Sequence, residues 1–237
     1  MNYVLAHGSW HGGWCWRAVA SRLRDAGHQV FTPSFTGMGD RAHLLRNDIT
    51  IDVFIDDLIQ VIQAEELDDI ILVGHSFAGV PITGVADRIP ESIAHLVYFD
   101  SVVLESGKNA FSNYPKADAD ARIASAAKAT GGMAVPVLAQ IPPVWGLEPG
   151  TAEYDWVSRR MTPHPLASYM TPLVLNNPIG NGLPRTYLHC SKPSHHLLED
   201  SRQLVQSLQG WNWIDVPAPH EAHITHPELL SDILLKI

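Results

Sequence analysis

The sequence predicts an α/β fold: a mostly parallel central sheet with helices on both faces. Two observations carry this. Short apolar runs recur between amphipathic stretches from residue 2 to about 103 and again from about 184 to the end, the rhythm of strand–helix–strand units. The linkers between them are short, as compact folds of this class prefer. Asn2–His7 reads as a strand. Trp14–Ala26 has helical spacing through Trp16, Val19, Ala20 and Leu23 and stops at Gly27. Gln29–Pro33 is a second strand, and residues 34–48 form a loop holding Gly37 and Gly39. Ile51–Glu65 is amphipathic, with Phe54, Ile55, Leu58, Ile59 and Ile62 on one face. Asp69–Gly74 is the central strand, a helix follows it to Arg88, and Ile93–Asp100 is the next strand.

The alternation then breaks. Residues 104–183 are rich in proline and carry an Ala-rich helical piece, Asp118–Thr130, with Trp145, Trp156, Met161 and Tyr169. This segment reads as an inserted helical cap, leaving residues 1–103 and 184–237 as the core. The rhythm resumes with a strand at Arg185–Cys190, a helix around Leu197–Leu208, a strand at Trp211–Val216 and a final helix from Pro227.

Composition excludes several functions. The 237 residues suit one large domain. A formal charge of −9 argues against a nucleic-acid surface. Mean hydropathy near zero and the lack of a long apolar run argue against a membrane protein. Two cysteines, Cys15 and Cys190, make no disulfide framework. With no basic, apolar leader at the N-terminus, a cytoplasmic location is the default expectation. Of thirteen histidines, His220, His223 and His226 are three apart without a matching cysteine or carboxylate set, and no HExxH string occurs, so no metal is expected. No cofactor is expected either.

The chemistry concentrates at Val73-Gly74-His75-Ser76-Phe77-Ala78-Gly79. A buried strand runs directly into a serine flanked at two residues on each side by small side chains, and a helix leads away. That strand–turn–helix context presents a nucleophilic serine. Ala78 stands where glycine is more usual but meets the same steric need. A serine hydroxyl needs a general base, and the base needs an orienting group. The base is expected on the loop after the last strand, Pro217–Pro227, where His220 is the first choice and His223 the second. Oxyanion donors are expected at the backbone N–H groups of Phe77, the residue after the serine, and Ser9, on the loop after the first strand. Trp10, Trp145, Trp156, Met161 and Tyr169 are candidate pocket residues.

These stretches resemble the plant methylesterase and hydroxynitrile lyase branch of the α/β-hydrolases, together with similar bacterial carboxylesterases. The resemblance rests on His7-Gly8, His11-Gly12-Gly13-Trp14-Cys15-Trp16, Pro33 with Gly37-Met38-Gly39, Gly74–Gly79, and the His220 loop with Pro227. It implies an α/β-hydrolase fold and cofactor-free cleavage of small esters with an apolar or aromatic part. The lyases carry a threonine after the first His and a lysine after the catalytic His. Gly8 and Glu221 stand here, which points to an esterase rather than a lyase. The resemblance also implies an acid shortly after the strand Arg185–Cys190, but Ser191–His195 contains no carboxylate. Asp100, at the end of the preceding core strand, is the favoured substitute, with Glu199 and Asp200 as alternatives. The expected function is a serine carboxylesterase working through an acyl-enzyme. Carbamate, amide or lactone hydrolysis on the same residues is the alternative, and a lyase-like or non-catalytic binding protein the lesser one. The expected partner is a small-molecule ester, with a homodimer left open.

Overall fold

A computed structural model describes residues 1–237. The core elements are β1 (Asn2–Ala6), α1 (Arg17–Asp25), β2 (Gln29–Phe31), α2 (Ile51–Ala64), β3 (Ile70–His75), α3 (Gly79–Arg88) and β4 (Ile93–Phe99). The middle segment contributes α4 (Lys116–Thr130), β5 (Ala134–Val135), α5 (Ala152–Ser158), β6 (His164–Pro165) and α6 (Leu166–Met170). The chain closes with β7 (Arg185–Cys190), α7 (Glu199–Ser207), β8 (Asn212–Val216), α8 (Ala222–Thr225) and α9 (Pro227–Leu234).

Six strands form one sheet in the order β2-β1-β3-β4-β7-β8, and every pairing is parallel. This is the sheet of an α/β-hydrolase fold. Its strands are apolar on both faces because helices cover both. Side chains alternate along each strand. Val4, Leu72, Leu96 and Tyr98 enter one core cluster, and Tyr3, Leu5, Ile71, Val73, Val97 and Phe99 enter the other. Helices α2 and α3 pack together over the first face, and α1 with α9 over the second.

Strand order reverses at β1, which lies between β2 and β3. Such a switch point opens a crevice beyond the carboxyl ends of the strands. Register brings the relevant residues to that edge. Ala6 pairs with Gly74 and His75 with Phe99, so Ser76 and Asp100 are each the first residue past the sheet on neighbouring strands.

The middle segment differs in detail from a purely helical cap. It adds an antiparallel two-stranded ribbon, β5 with β6, and α4 is its only helix longer than seven residues. Prolines at 136, 142, 143, 163 and 165 withhold the N–H donors that longer helices need. The segment is stitched to the core: Thr162 N–H donates to Trp10 O at 2.9 Å, and Gly39 N–H donates to Thr162 Oγ1 at 2.9 Å. No helix is long and apolar enough to cross a membrane.

The turn from β3 into α3 is crowded. A Cβ on Gly74 would lie 2.8 Å from Ala78 O, backbone that cannot step aside cheaply. Gly74→Ala is expected to destabilise the fold by about 1–3 kcal/mol, the usual cost of overpacking, read as a lowered urea midpoint. An unchanged midpoint would show slack in the turn.

Candidate active site

Ser76 adopts φ +54°, a left-handed conformation that a side chain takes only when surroundings enforce it. Two bonds do so from the next strand end. Ser76 O accepts from Val102 N–H and from the Ser101 hydroxyl, both at 2.8 Å. Ser101 is fixed in turn by Tyr187, whose hydroxyl donates to Ser101 O at 2.9 Å. The result turns Oγ away from the sheet and into a cavity.

His220 follows β8 on a loop pinned by the middle segment. His220 N–H donates to Val144 O and Glu221 N–H to Trp145 O, each at 3.3 Å. The ring lies with Nε2 3.0 Å from Ser76 Oγ and Nδ1 2.6 Å from Asp100 Oδ2. Asp100 is fully buried, and its Oδ1 accepts from Cys190 N–H at 3.3 Å. A carboxylate on Nδ1 fixes the tautomer with Nδ1–H toward Asp100, leaving the Nε2 lone pair toward Ser76.

The two alternative acids lie elsewhere. Glu199 sits in the first turn of α7, half exposed, with Arg202 Nη2 2.8 Å from Oε2 and Gln203 on its other oxygen. Asp200 is exposed beside it. Neither has a hydrogen bond to His220. His223, the alternative base, is fully buried behind His220, with ring centroids of His75 and Trp16 at 4.4 and 4.8 Å. It does not bond to Ser76. The exposed His226 bonds only to Thr225.

Ser9 and Phe77 both line the cavity that holds Ser76. The β1 loop comes very close here: a Cβ on Gly8 would stand 2.9 Å from Ser76 Cβ. The Ser9 hydroxyl is engaged by Tyr169 Oη at 2.5 Å, so its backbone rather than its side chain is free to serve.

The cavity has a volume of about 130 Å³. Trp10 and Trp145 line it. Tyr169 does not; it is buried behind Ser9, stacked on Phe111. Trp156 and Met161 also fall outside the lining. Trp156 meets Trp14 edge-on at 4.9 Å on a separate groove, and Met161 packs against the larger core. Their positions depend on the course of a proline-rich segment, which has no periodicity to read.

Among the lining residues that sequence reasoning missed are Arg122 and His195. Arg122, on α4, lies over the rings of Trp10 and Tyr114 at 5.0 and 4.7 Å, within cation–π range. His195 meets His220 edge-on at 4.7 Å. Burial and the neighbouring His220 push its pKa down to about 2, so it stands neutral beside the site. No spacing signal marks either residue. The thiols of Cys15 and Cys190 are buried and free, and burial raises both far above the ordinary range, which makes them unreactive.

A serine on a forced turn after a central parallel strand, an imidazole from beyond the last strand and an acid at an adjacent strand end define the α/β-hydrolase class. The comparisons agree. The profile of the Alpha/beta hydrolase family matches residues 3–233, and the chain belongs to that family. It is 39% identical over 241 residues to the carbendazim hydrolyzing esterase of Nocardioides sp. (strain SG-4G), with 98% of each chain covered. Methylesterase 9 of Arabidopsis thaliana is 35% identical over 101 residues, 42% of this chain and 40% of that one. An extracellular α/β-hydrolase from a Paenibacillus species shares the fold with a TM-score of 0.83 and 23% identity, over 100% of this chain and 98% of that one.

Several histidines around the site are held neutral by burial. His7, whose Nδ1–H donates to Gly8 O and whose Nε2 accepts from Phe35 N–H, is pushed to about 3. His164 lies well below its ordinary value for the same reason. Unfolding frees these rings to take protons near their ordinary pKa of 6.5. Stability is therefore full above pH 6.5 and falls as pH drops from there toward the folded values. Each such ring lowers it by up to about 1.4 kcal/mol per pH unit in that window. Urea unfolding at pH 7.5 and pH 5 reads this directly. Equal stabilities would show that the rings are already charged in the fold.

Proposed function

We propose that the protein is a serine carboxylesterase that cleaves small esters bearing an apolar or aromatic part. The observation carrying this reading is the continuous Ser76–His220–Asp100 hydrogen-bond chain, at 3.0 and 2.6 Å, opening into an aromatic-walled cavity. In this reading Ser76 Oγ attacks the ester carbonyl while His220 Nε2 takes its proton. Buried Asp100 steadies the imidazolium that forms. The backbone N–H groups of Ser9 and Phe77 receive the developing oxyanion. His220 then passes its proton to the departing alcohol. Water, deprotonated by the same imidazole, hydrolyses the acyl-enzyme.

Two features support an esterase over a cyanohydrin lyase. Position 221 is a buried glutamate, not a lysine, and Gly8 offers no hydroxyl. The name of the Nocardioides relative favours a second reading, hydrolysis of carbendazim or a related carbamate on the same residues. The cavity suits either, since its walls combine the apolar Trp10, Leu138, Val144 and Trp145 with polar groups such as Arg122 and His195.

Ser76→Ala and His220→Ala should each abolish most turnover of an aryl ester. Asp100→Asn should lower kcat by about 10⁴, the cost of a wrong tautomer, with the melting temperature little changed. Glu199→Gln should leave kcat unaltered. A normal rate in Asp100→Asn, or a collapse in Glu199→Gln, would reassign the acid. A panel of matched aryl ester, methyl ester, carbamate, anilide and lactone substrates, with carbendazim included, ranks the two readings by kcat/KM. Failure of an organophosphate to label Ser76 would remove both.

A further inference from the structure

Directly behind His220 lies a second cluster that the proposed reaction does not use. Three segments meet there: His11 from the loop after β1, His75 at the end of β3, and Glu221 with His223 at the start of α8. All four side chains are about 1% exposed or less. A ring nitrogen from each of His75 and His223 and a carboxylate oxygen of Glu221 lie within 4.8 Å of one another. His11 Nε2 stands 3.5 Å, and His223 Nε2 3.3 Å, from Glu221 Oε2.

These groups satisfy one another poorly. His11 Nε2, His75 Nδ1, Glu221 Oε2 and both His223 nitrogens are buried without a hydrogen-bond partner. Buried polar atoms are normally paired, so five orphans on four touching residues demand an explanation. The carboxylate is also buried with no arginine or lysine beside it, and an unpaired buried charge is costly.

The outward nitrogens show the opposite pattern. His11 Nδ1–H donates to Ser9 O at 2.7 Å, and His75 Nε2–H to His220 O at 3.0 Å. Each carbonyl fixes a neutral tautomer and leaves the other nitrogen free as a lone-pair donor; that of His11, Nε2, faces Glu221. That is how histidine ligands are held around metals. Metal–N and metal–O bonds of 2.0–2.2 Å give a tetrahedral edge of about 3.3–3.5 Å between ligand atoms. The two Glu221 contacts have that length.

We propose that His75, Glu221 and His223 bind a divalent first-row ion such as zinc, with His11 as the fourth donor. The 4.8 Å spread means that the set draws in around the ion. Imidazole and carboxylate donors without thiolate suit zinc or its neighbours rather than calcium or magnesium. The ion would be structural. It would tie the oxyanion loop, the serine turn and the His220 loop together from behind, and it would neutralise the Glu221 charge. The sequence concealed the site because its donors lie on three segments separated by more than sixty and then more than a hundred residues.

The test uses the full chain without a histidine tag. Elemental analysis of dialysed protein should find about one zinc per chain. Cobalt(II) added to chelator-treated protein should give the visible bands of a four-coordinate site and should raise the melting temperature. Glu221→Gln and His223→Phe should each weaken cobalt binding by about tenfold or more; phenylalanine keeps the packing against Trp16 and Phe99. His226→Gln, on the exposed histidine, should leave binding intact. Trace metal with no spectral or thermal response in the wild type would overturn the proposal. Undiminished binding in both cluster variants would overturn it equally, by placing the ion on surface histidines. Should Glu221→Gln fail to fold, His223→Phe and the wild-type measurements still decide.

Discussion

The forced turn at Ser76 is the constraint around which this molecule is arranged. A non-glycine residue in the left-handed region costs of order 1–3 kcal/mol, so the neighbours must hold it there. They do so from three directions. The β1 loop leaves no room for a side chain at Gly8, the turn leaves none at Gly74, and the β4 end supplies two hydrogen bonds to Ser76 O. The supports come from the carboxyl edges of β3 and of its two neighbours, β1 and β4. A parallel sheet with its switch point at β1 brings those edges together, and the strained serine uses all of them.

The base is held by a different logic. His220 lies on a loop after an edge-most strand, where Ser76, Asp100 and His75 from the core contact it. The middle segment adds a further restraint through the carbonyls of Val144 and Trp145, while Gly146, in a left-handed turn, lies so close to Pro219 that a Cβ there would be 2.2 Å from the ring. The segment that roofs the cavity therefore also sets the imidazole. Substitutions in it reach His220 through geometry as well as through the cavity wall.

The sheet, its helices and the serine turn were legible because they rest on local rules. Strands buried on both faces read as apolar runs, helix faces repeat at 3.6 residues, and a tight turn needs small residues at fixed offsets. His220 was legible from chain order. The cavity wall was not. Trp156 and Met161 are as aromatic or apolar as Trp145, yet only Trp145 reaches the cavity, and prolines rather than periodicity decide which. Arg122 hid on an Ala-rich helix whose weak amphipathicity gives no hint that one arginine turns inward between two rings. The cluster behind His220 hid because its members are distant along the chain.

The position of Asp100 shows which part of the Ser76–His220–Asp100 chain is fixed. The segment after β7, Ser191 to His195, holds no carboxylate. Asp100 follows β4 instead. The two strands are neighbours in parallel register, Phe99 opposite Leu188, so their ends emerge side by side, one strand spacing of about 4.8 Å apart. Cys190 N–H from the β7 end still meets the carboxylate. What His220 requires is a buried acceptor in line with Nδ1, and either strand can place one there. The geometry at the imidazole is the constraint; the strand that delivers the carboxylate is free to vary within the reach of one side chain.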